Sequence, residues 1–500
     1  MRPTSKHRAF TTVFLVELWE RFGFYGMAAL LVLFMIDKLG FDDSRANLTW
    51  GAFSALAFSA PAIGGWIGDR VLGARRTMVA GAVVLCCGYL MLALARQELP
   101  YLFAALSVIV VGNGLFKANA ASLIRRIYAG DEARIDSAFT TYYLAINLGA
   151  AASMLVTPWI KDQWGWNAAF AVCCAGMAMG ILNFLLMHRT LAHIGTPADQ
   201  EPVHWRRVAG IAAGAVVLSL FTALVLEHTL LATFTIWAAG ASILSIFVYM
   251  TLTAAPAERA GLLAALLLTV QVFLFFIFYQ QQYTSITLFA LRNVDPRFSV
   301  FGYTLFTWSA AQFQALSGIW IIVLGPFLVL FYNGLAGRGH DAPVAVKFTL
   351  GFAAVAASFF LLAVSGQFAV DGRVSSWFVV WSYALYALGD LLISGLGLAM
   401  ISRYVPVRMS GFMMGAYFVA AGVAQYLGSA VANLAQMPPA GMQAPLSLPL
   451  YMRLFSGLGW AVVGAMALAV LLLPLLKRLS LAHEHGVASG EAATAAGQST

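Results

Sequence analysis

Residues Glu17 to Ala28 read E-L-W-E-R-F-G-F-Y-G-M-A, two carboxylates and a guanidinium set inside an otherwise apolar run. In a helix at about 100° per residue, Glu17, Glu20, Arg21, Tyr25 and Ala28 fall at roughly 0°, 300°, 40°, 80° and 20°, so the five share one stripe. A lone charge at the centre of a bilayer costs on the order of 3 kcal/mol, and ionisable groups placed there pair with one another or line a water-filled path. Two readings are open: a structural Glu-Arg pair, or the charged wall of a cavity.

The whole chain supports a membrane setting. Its 500 residues are 61% hydrophobic and only 10% charged, with a mean hydropathy of +0.82, whereas a soluble domain is about 25% charged. The net charge of +8 comes from Lys and Arg scattered over short loops, without the basic stripe and stacking aromatics of a nucleic-acid surface, so no nucleic-acid partner is expected. Arg2, Lys6 and Arg8 precede an apolar run long enough to span, with no small-residue cleavage site after it, so the first helix is expected to stay. Cys86-Cys87 and Cys173-Cys174 have no His at metal-ligand spacing and read as small packing residues.

Fourteen apolar runs of spanning length follow one another, the first at 13–36 and the last at 452–476. With both termini cytoplasmic, nineteen Lys and Arg fall inside and eight outside, and Arg21 and Lys117 remain within spans, which accounts for all 29. The expected class is therefore an all-α, multi-pass protein of the cell (inner) membrane. After the second run comes G-G-W-I-G-D-R-V-L-G-A-R-R, Gly64 to Arg76, an acidic-basic hinge that resembles the loop signature of the major facilitator superfamily. That resemblance implies two six-helix bundles rocking around a midplane cavity. The expected organisation is an N-terminal six-helix bundle at 1–188, a linker with two extra helices at 189–260, a C-terminal six-helix bundle at 261–478 and a disordered cytoplasmic tail at 479–500.

Other polar groups recur inside the runs. G-N-G-L-F-K-A-N places Asn113 and Lys117 one turn apart, Tyr143 and Asn147 stand at i, i+4, and Asp390 precedes Ser394 by one turn. Three intramembrane carboxylates, Glu17, Glu20 and Asp390, thus face two cations, Arg21 and Lys117. One carboxylate is left without a partner, and low dielectric favours its protonated form. No histidine lies mid-span, so carboxylates must carry any proton.

These motifs resemble the proton-dependent oligopeptide transporters (peptide transporter family) of the major facilitator superfamily, including bacterial di- and tripeptide permeases. Glu17-x-x-Glu20-Arg21-Phe22 with Tyr25-Gly26 matches the family's E-x-x-E-R-F-x-Y-Y-G, with Phe24 for its first Tyr. The fourth-run G-N-G-L-F-K-A-N matches G-x-G-x-F-K-P-N, with Ala118 for Pro, and F-x-x-Y-Y-L-A-I-N-L-G matches a fifth-span motif. By that resemblance Glu17, Glu20, Arg21 and Lys117 couple protons, Lys117 holds a peptide carboxylate and Asp390 a peptide amine. Tyr25, Tyr143, Asn147, Gln281, Ser317 and Tyr417 would line the pocket. The function implied is proton-coupled symport of di- or tripeptides or peptide-like zwitterions by alternating access, with protons as coupling ion, no cofactor or metal, and a monomeric chain.

The pattern departs from the family at Ala28 for Arg or Gln, Phe58 for Tyr, Ser317 for Asn and Tyr417 for Trp. Gln280-Gln281 stand for an acid, and Asp390 for Glu. Each change removes or shortens a polar grip. Modified peptides, amino acids or drug-like amines, possibly for efflux, and a sensor on the same fold are the alternatives. An enzyme is not expected: H-E-x-x-H, G-x-S-x-G and the Gly-Lys pair of a Walker loop do not occur.

Overall fold

A computed structural model describes residues 3–95, 98–336, 344–405, 407–434 and 443–498. Arg2, Arg96 and Arg338, which enter the charge bias, lie outside the described residues. Among the described residues fourteen helices are long and apolar enough to cross a membrane, as the fourteen apolar runs require.

Helix α1 (Pro3–Asp37) is the most enclosed of them, held against α5, α6 and α7. The second span bends at Pro61, whose missing N–H is tolerated at the first position of a helix, giving α2 (Asp43–Ser59) and α3 (Pro61–Arg70). Helices α4 (Ala74–Ala93), α5 (Leu99–Ile127), α6 (Glu132–Trp164) and α7 (Trp166–Met187) complete a first bundle.

The loop after α7 holds that bundle together. It contains the single turn α8 (Pro197–Gln200), where Thr196 and Asp199 form a capping box. The buried Asp199 carboxylate also accepts from the backbone N–H groups of Arg75 (3.2 Å) and Arg76 (3.3 Å), capping α4 from 124 and 123 residues away in sequence. The Arg75 guanidinium in turn donates to the carbonyls of Leu191 (2.7 Å) and Ala192 (3.0 Å).

Helices α9 (Trp205–Glu227) and α10 (Thr229–Thr253) form the extra pair. They touch each other little: α9 lies on α5, and α10 on α16 (Val407–Ala432) at the far side of the chain, where the hydroxyls of Thr233 and Tyr426 are 2.6 Å apart.

The next span is broken. Helix α11 (Pro256–Tyr279) stops at a turn of buried glutamines, Gln280–Gln282, and resumes as α12 (Ser285–Asn293), so the span reaches ten residues beyond the ninth apolar run of the sequence, 261–283. The fold is all-α as expected, and the loop that follows carries one short hairpin, in which β1 (Arg297–Val300) and β2 (Tyr303–Thr307) pair antiparallel. Their two-residue turn has positive φ at Phe301 (48°) and Gly302 (85°), the geometry that matches strand twist. Phe298, Phe306, Trp308 and Trp377 stack over the hairpin base. A side-chain bond from Arg297 holds the Asp295 carboxyl below the usual carboxylate range.

Helices α13 (Ala315–Ala336), α14 (Val344–Ser365), α15 (Ser376–Tyr404) and α16 pack with α11 and α17 (Ala444–Gln498) as a second bundle. The tail expected to be unordered continues as helix to Gln498, in keeping with its Ala-rich composition. The bundles are joined across one end. There Arg292 of α12 grips Asp43 of α2 with two bonds (2.6 and 2.8 Å), and Asn47 donates to Asn433 (2.9 Å). Trp50 lies against Tyr283 with ring centroids 5.0 Å apart.

Candidate substrate and proton site

The charged stripe of α1 is buried at the interior of the first bundle. Glu17, Glu20 and Arg21 are all 2% exposed or less. Close approach of α6 makes this enclosure possible: a Cβ on Gly149 would lie 2.4 Å from the Leu18 carbonyl and 3.2 Å from Arg21 Cβ. The Arg21 guanidinium Nε donates to Glu20 and sits 3.3 Å from Glu17 Oε1. One terminal nitrogen reaches Asn113 Oδ1 at 3.4 Å, and the Asn113 amide donates to the Ala57 carbonyl at 2.7 Å, tying the stripe to α5 and α2. Phe24 and Tyr25 place their rings 5.4 and 5.9 Å from the guanidinium carbon.

Both carboxylates keep one oxygen without a hydrogen-bond partner, Glu17 Oε2 and Glu20 Oε1. Two acids around one guanidinium therefore leave surplus negative charge in a place that water does not reach. Lys117, four residues along α5 from Asn113, rests its ammonium 4.3 Å over the Phe58 ring, and no carboxylate among the described residues lies within 4.0 Å of it. The Phe at position 58 thus supplies a ring face and no hydroxyl.

Asp390, 4% exposed on α15, belongs to the other bundle. Its carboxylate accepts from the Ser394 hydroxyl, and among the described residues no cation lies within 4.0 Å. Tyr25, Tyr143, Tyr279, Tyr386 and Tyr417 stand near enough for its charge to reach their hydroxyls. Phenols from both bundles thus share the electrostatic surroundings of Asp390.

Most of the residues singled out in the sequence converge here. Tyr143 is 37% exposed. Asn147 donates to the Tyr143 carbonyl at 2.9 Å, and its own carbonyl would meet a Cβ on Gly318 at 3.2 Å, which puts it beside Ser317. Gln281 is set apart: its amide donates to the carbonyls of Gly428 (2.8 Å) and Ile277 (3.2 Å) and accepts from Ser285 (2.7 Å), all within helix packing. The neighbouring Gln282, 1% exposed, has neither amide atom partnered. Tyr142, which the sequence reading passed over for Tyr143, sits against Glu17. Ala28 is buried in the core of the bundle. Among the described residues no cluster of three His, Cys, Asp or Glu could hold a metal.

A family model, the POT family, matches residues 75–446. The chain belongs to the POT family. The Glu17 to Ala28 motif lies ahead of the matched stretch, but relatives of this POT chain align through it. The dipeptide and tripeptide permease A of Salmonella typhimurium is 36% identical over 488 residues, 97% of this chain and 96% of the permease. That of Proteus mirabilis is 37% identical over 475 residues, 95% of this chain and 96% of the permease. Among solved structures, the POT chain resembles tetrameric PepTSo2 at 50% identity with a TM-score of 0.86, covering 95% of this chain and 100% of that one. A bacterial homologue of the human drug peptide transporters PepT1 and PepT2 matches with the same identity and score, covering 95% and 99%. The chain is a membrane transporter of this family and not an enzyme.

Proposed function

We propose that this chain is a proton-coupled symporter that imports di- and tripeptides, or zwitterions built like them, across the bacterial inner membrane by alternating access. One observation carries the reading: among the described residues Lys117 on the first bundle and Asp390 on the second each lack an ion-pair partner within 4.0 Å. A free peptide carries the two complementary charges at its ends, so it can neutralise both at once and draw the bundles together with little regard to side chains. The family membership and the names of the similar permeases support the same substrate class.

Proton coupling rests on the Glu17, Glu20 and Arg21 cluster, where a proton is the one species small enough to cancel the surplus charge in place. The bundles meet at the Asp43–Arg292 end. With both termini cytoplasmic, as the Lys and Arg bias favours, that end is the outer one and the cavity opens inward. Every group named lies in one chain, so we take the monomer as the transport unit, whatever assembly it forms.

Competition binding in proteoliposomes tests the clamp. A charge-assisted hydrogen bond to a buried group contributes about 1.5–3 kcal/mol, and about 1.4 kcal/mol is tenfold in affinity. Lys117→Ala is therefore expected to weaken free dipeptides by one to two orders of magnitude, and to change C-terminally amidated analogues far less. Asp390→Ala should do the same for free against N-acetylated peptides. Blocked analogues that compete as well as free peptides against the unmutated protein would end the zwitterion reading. Glu20→Gln is expected to lose gradient-driven accumulation and retain counterflow exchange; full accumulation would remove this carboxylate from the coupling path.

A further inference from the structure

Behind the wall that carries Lys117, on the membrane side of the first bundle, lies an apolar groove of about 500 Å³, within the size range of small-ligand sites. Its floor is the crossing of α3 and α5, where Gly64 and Gly114 bring two backbones so close that a Cβ on Gly64 would sit 1.9 Å from the Gly114 carbonyl oxygen. Its wall is α9. There Gly210 and Gly214 face open space, a Cβ on either meeting nothing within 4 Å. The lining is apolar from Leu218 down to Val71, with one exception, Arg207, at the end nearest the loops.

Three features decide what fits. First, the groove lies between membrane spans, so what fills it at that depth is hydrocarbon. Second, Arg207 and Leu218 bound it along α9 eleven residues apart, about 16 Å of helix rise, roughly half of a hydrocarbon core about 30 Å thick. The groove runs from one interface to the midplane, the length of a single leaflet. Third, its mouth is cationic and aromatic. Arg206 and Arg207 open α9 beside Trp205, 74% exposed, and Trp66, 61% exposed, lines the opposite side. The Arg207 guanidinium has one nitrogen on Glu201 at 3.1 Å, and of its five donors the others are available to a phosphate.

We propose that this groove is a binding site for one anionic phospholipid, an acyl chain lying along Gly210 and Gly214 and the headgroup phosphate on Arg207. The lining residues Val111, Gly114 and Leu115 flank Asn113 and Lys117 on α5, so the lipid would brace the helix that presents the substrate cation. The proposal stands independently of what is transported.

Native mass spectrometry of the purified full chain with phosphatidylglycerol or phosphatidylcholine tests it. The wild type is expected to retain one phosphatidylglycerol at least tenfold more tightly than phosphatidylcholine. Gly214→Leu projects a side chain into the groove from a position whose Cβ meets nothing within 4 Å and should lower phosphatidylglycerol retention at least tenfold; Gly210→Leu is a second variant of the same kind. Gly464→Leu, also facing open space but on α17, should change nothing. Arg207→Gln should abolish the preference for the anionic lipid and leave weak binding of both. Equal retention by Gly214→Leu, Gly210→Leu and Gly464→Leu, or a wild type indifferent to headgroup, would overturn the site and leave only the unspecific lipid shell.

Discussion

Removing the Asp199 carboxylate would strand donors from Thr196, Arg75 and Arg76 in a place where water cannot replace it. Asp199→Ala is expected to destabilise the protein by about 2 kcal/mol, because an unsatisfied buried donor costs about 1–3 kcal/mol. Glu201→Ala, which removes a half-exposed partner of Arg207, should cost less than about 1 kcal/mol; thermal unfolding in detergent separates the two. The contrast shows what a sequence reveals at this scale. Glu17 and Glu20 stand out because charge in an apolar run is costly, whereas Asp199 sits in a polar loop where an acid is ordinary and only the folded chain brings α4 to it. Tyr142 and Tyr143 make the same point within one motif. Neighbours on a helix point about 100° apart, so Tyr142 meets Glu17 while Tyr143 faces Asp390, a division that their shared motif does not indicate.

Between elements, the hold of α12 on α2 through Arg292 and Asp43 is the contact most directly aimed at closure. Both side chains are only 18% and 15% exposed, so breaking the pair removes charge-assisted bonds of about 1.5–3 kcal/mol each. In a background with the four cysteines replaced, Arg292→Ala should raise the rate at which an impermeant maleimide labels Asn47→Cys by at least tenfold, since each loss of about 1.4 kcal/mol shifts a two-state balance about tenfold. An unchanged rate would mean that packing of Trp50 and Tyr283 closes this end alone. Hydropathy placed the spans but missed α12, because Gln280 to Thr284 interrupt the apolar run and Arg292 and Asn293 end it. The β1–β2 hairpin was illegible for a different reason. Its turn is Phe301-Gly302, outside the usual Asn-Gly signature, and its strands are only four and five residues long.

Over the whole molecule, the even number of spans requires both termini on one side. Reporters fused to the N-terminus and to the C-terminus should both be active in the cytoplasm, and a C-terminal reporter active outside would exclude fourteen crossings. The count was readable because length and hydropathy alone define a span, while the placement of the extra pair depends on partners that hydropathy does not encode. That placement, α9 on α5 and α10 on α16, makes the pair a built-in gauge. Helix α9 rides chiefly on the first bundle through α5 and α10 chiefly on the second through α16 and α11, with a lesser contact to α2, so rotation of the bundles is expected to change the angle between them, while neither helix contributes a residue named in the peptide or proton site. Spin labels at Val208 and Leu252, 41% and 68% exposed, would therefore record opening and closing as a distance distribution while the transport path stays free of probes.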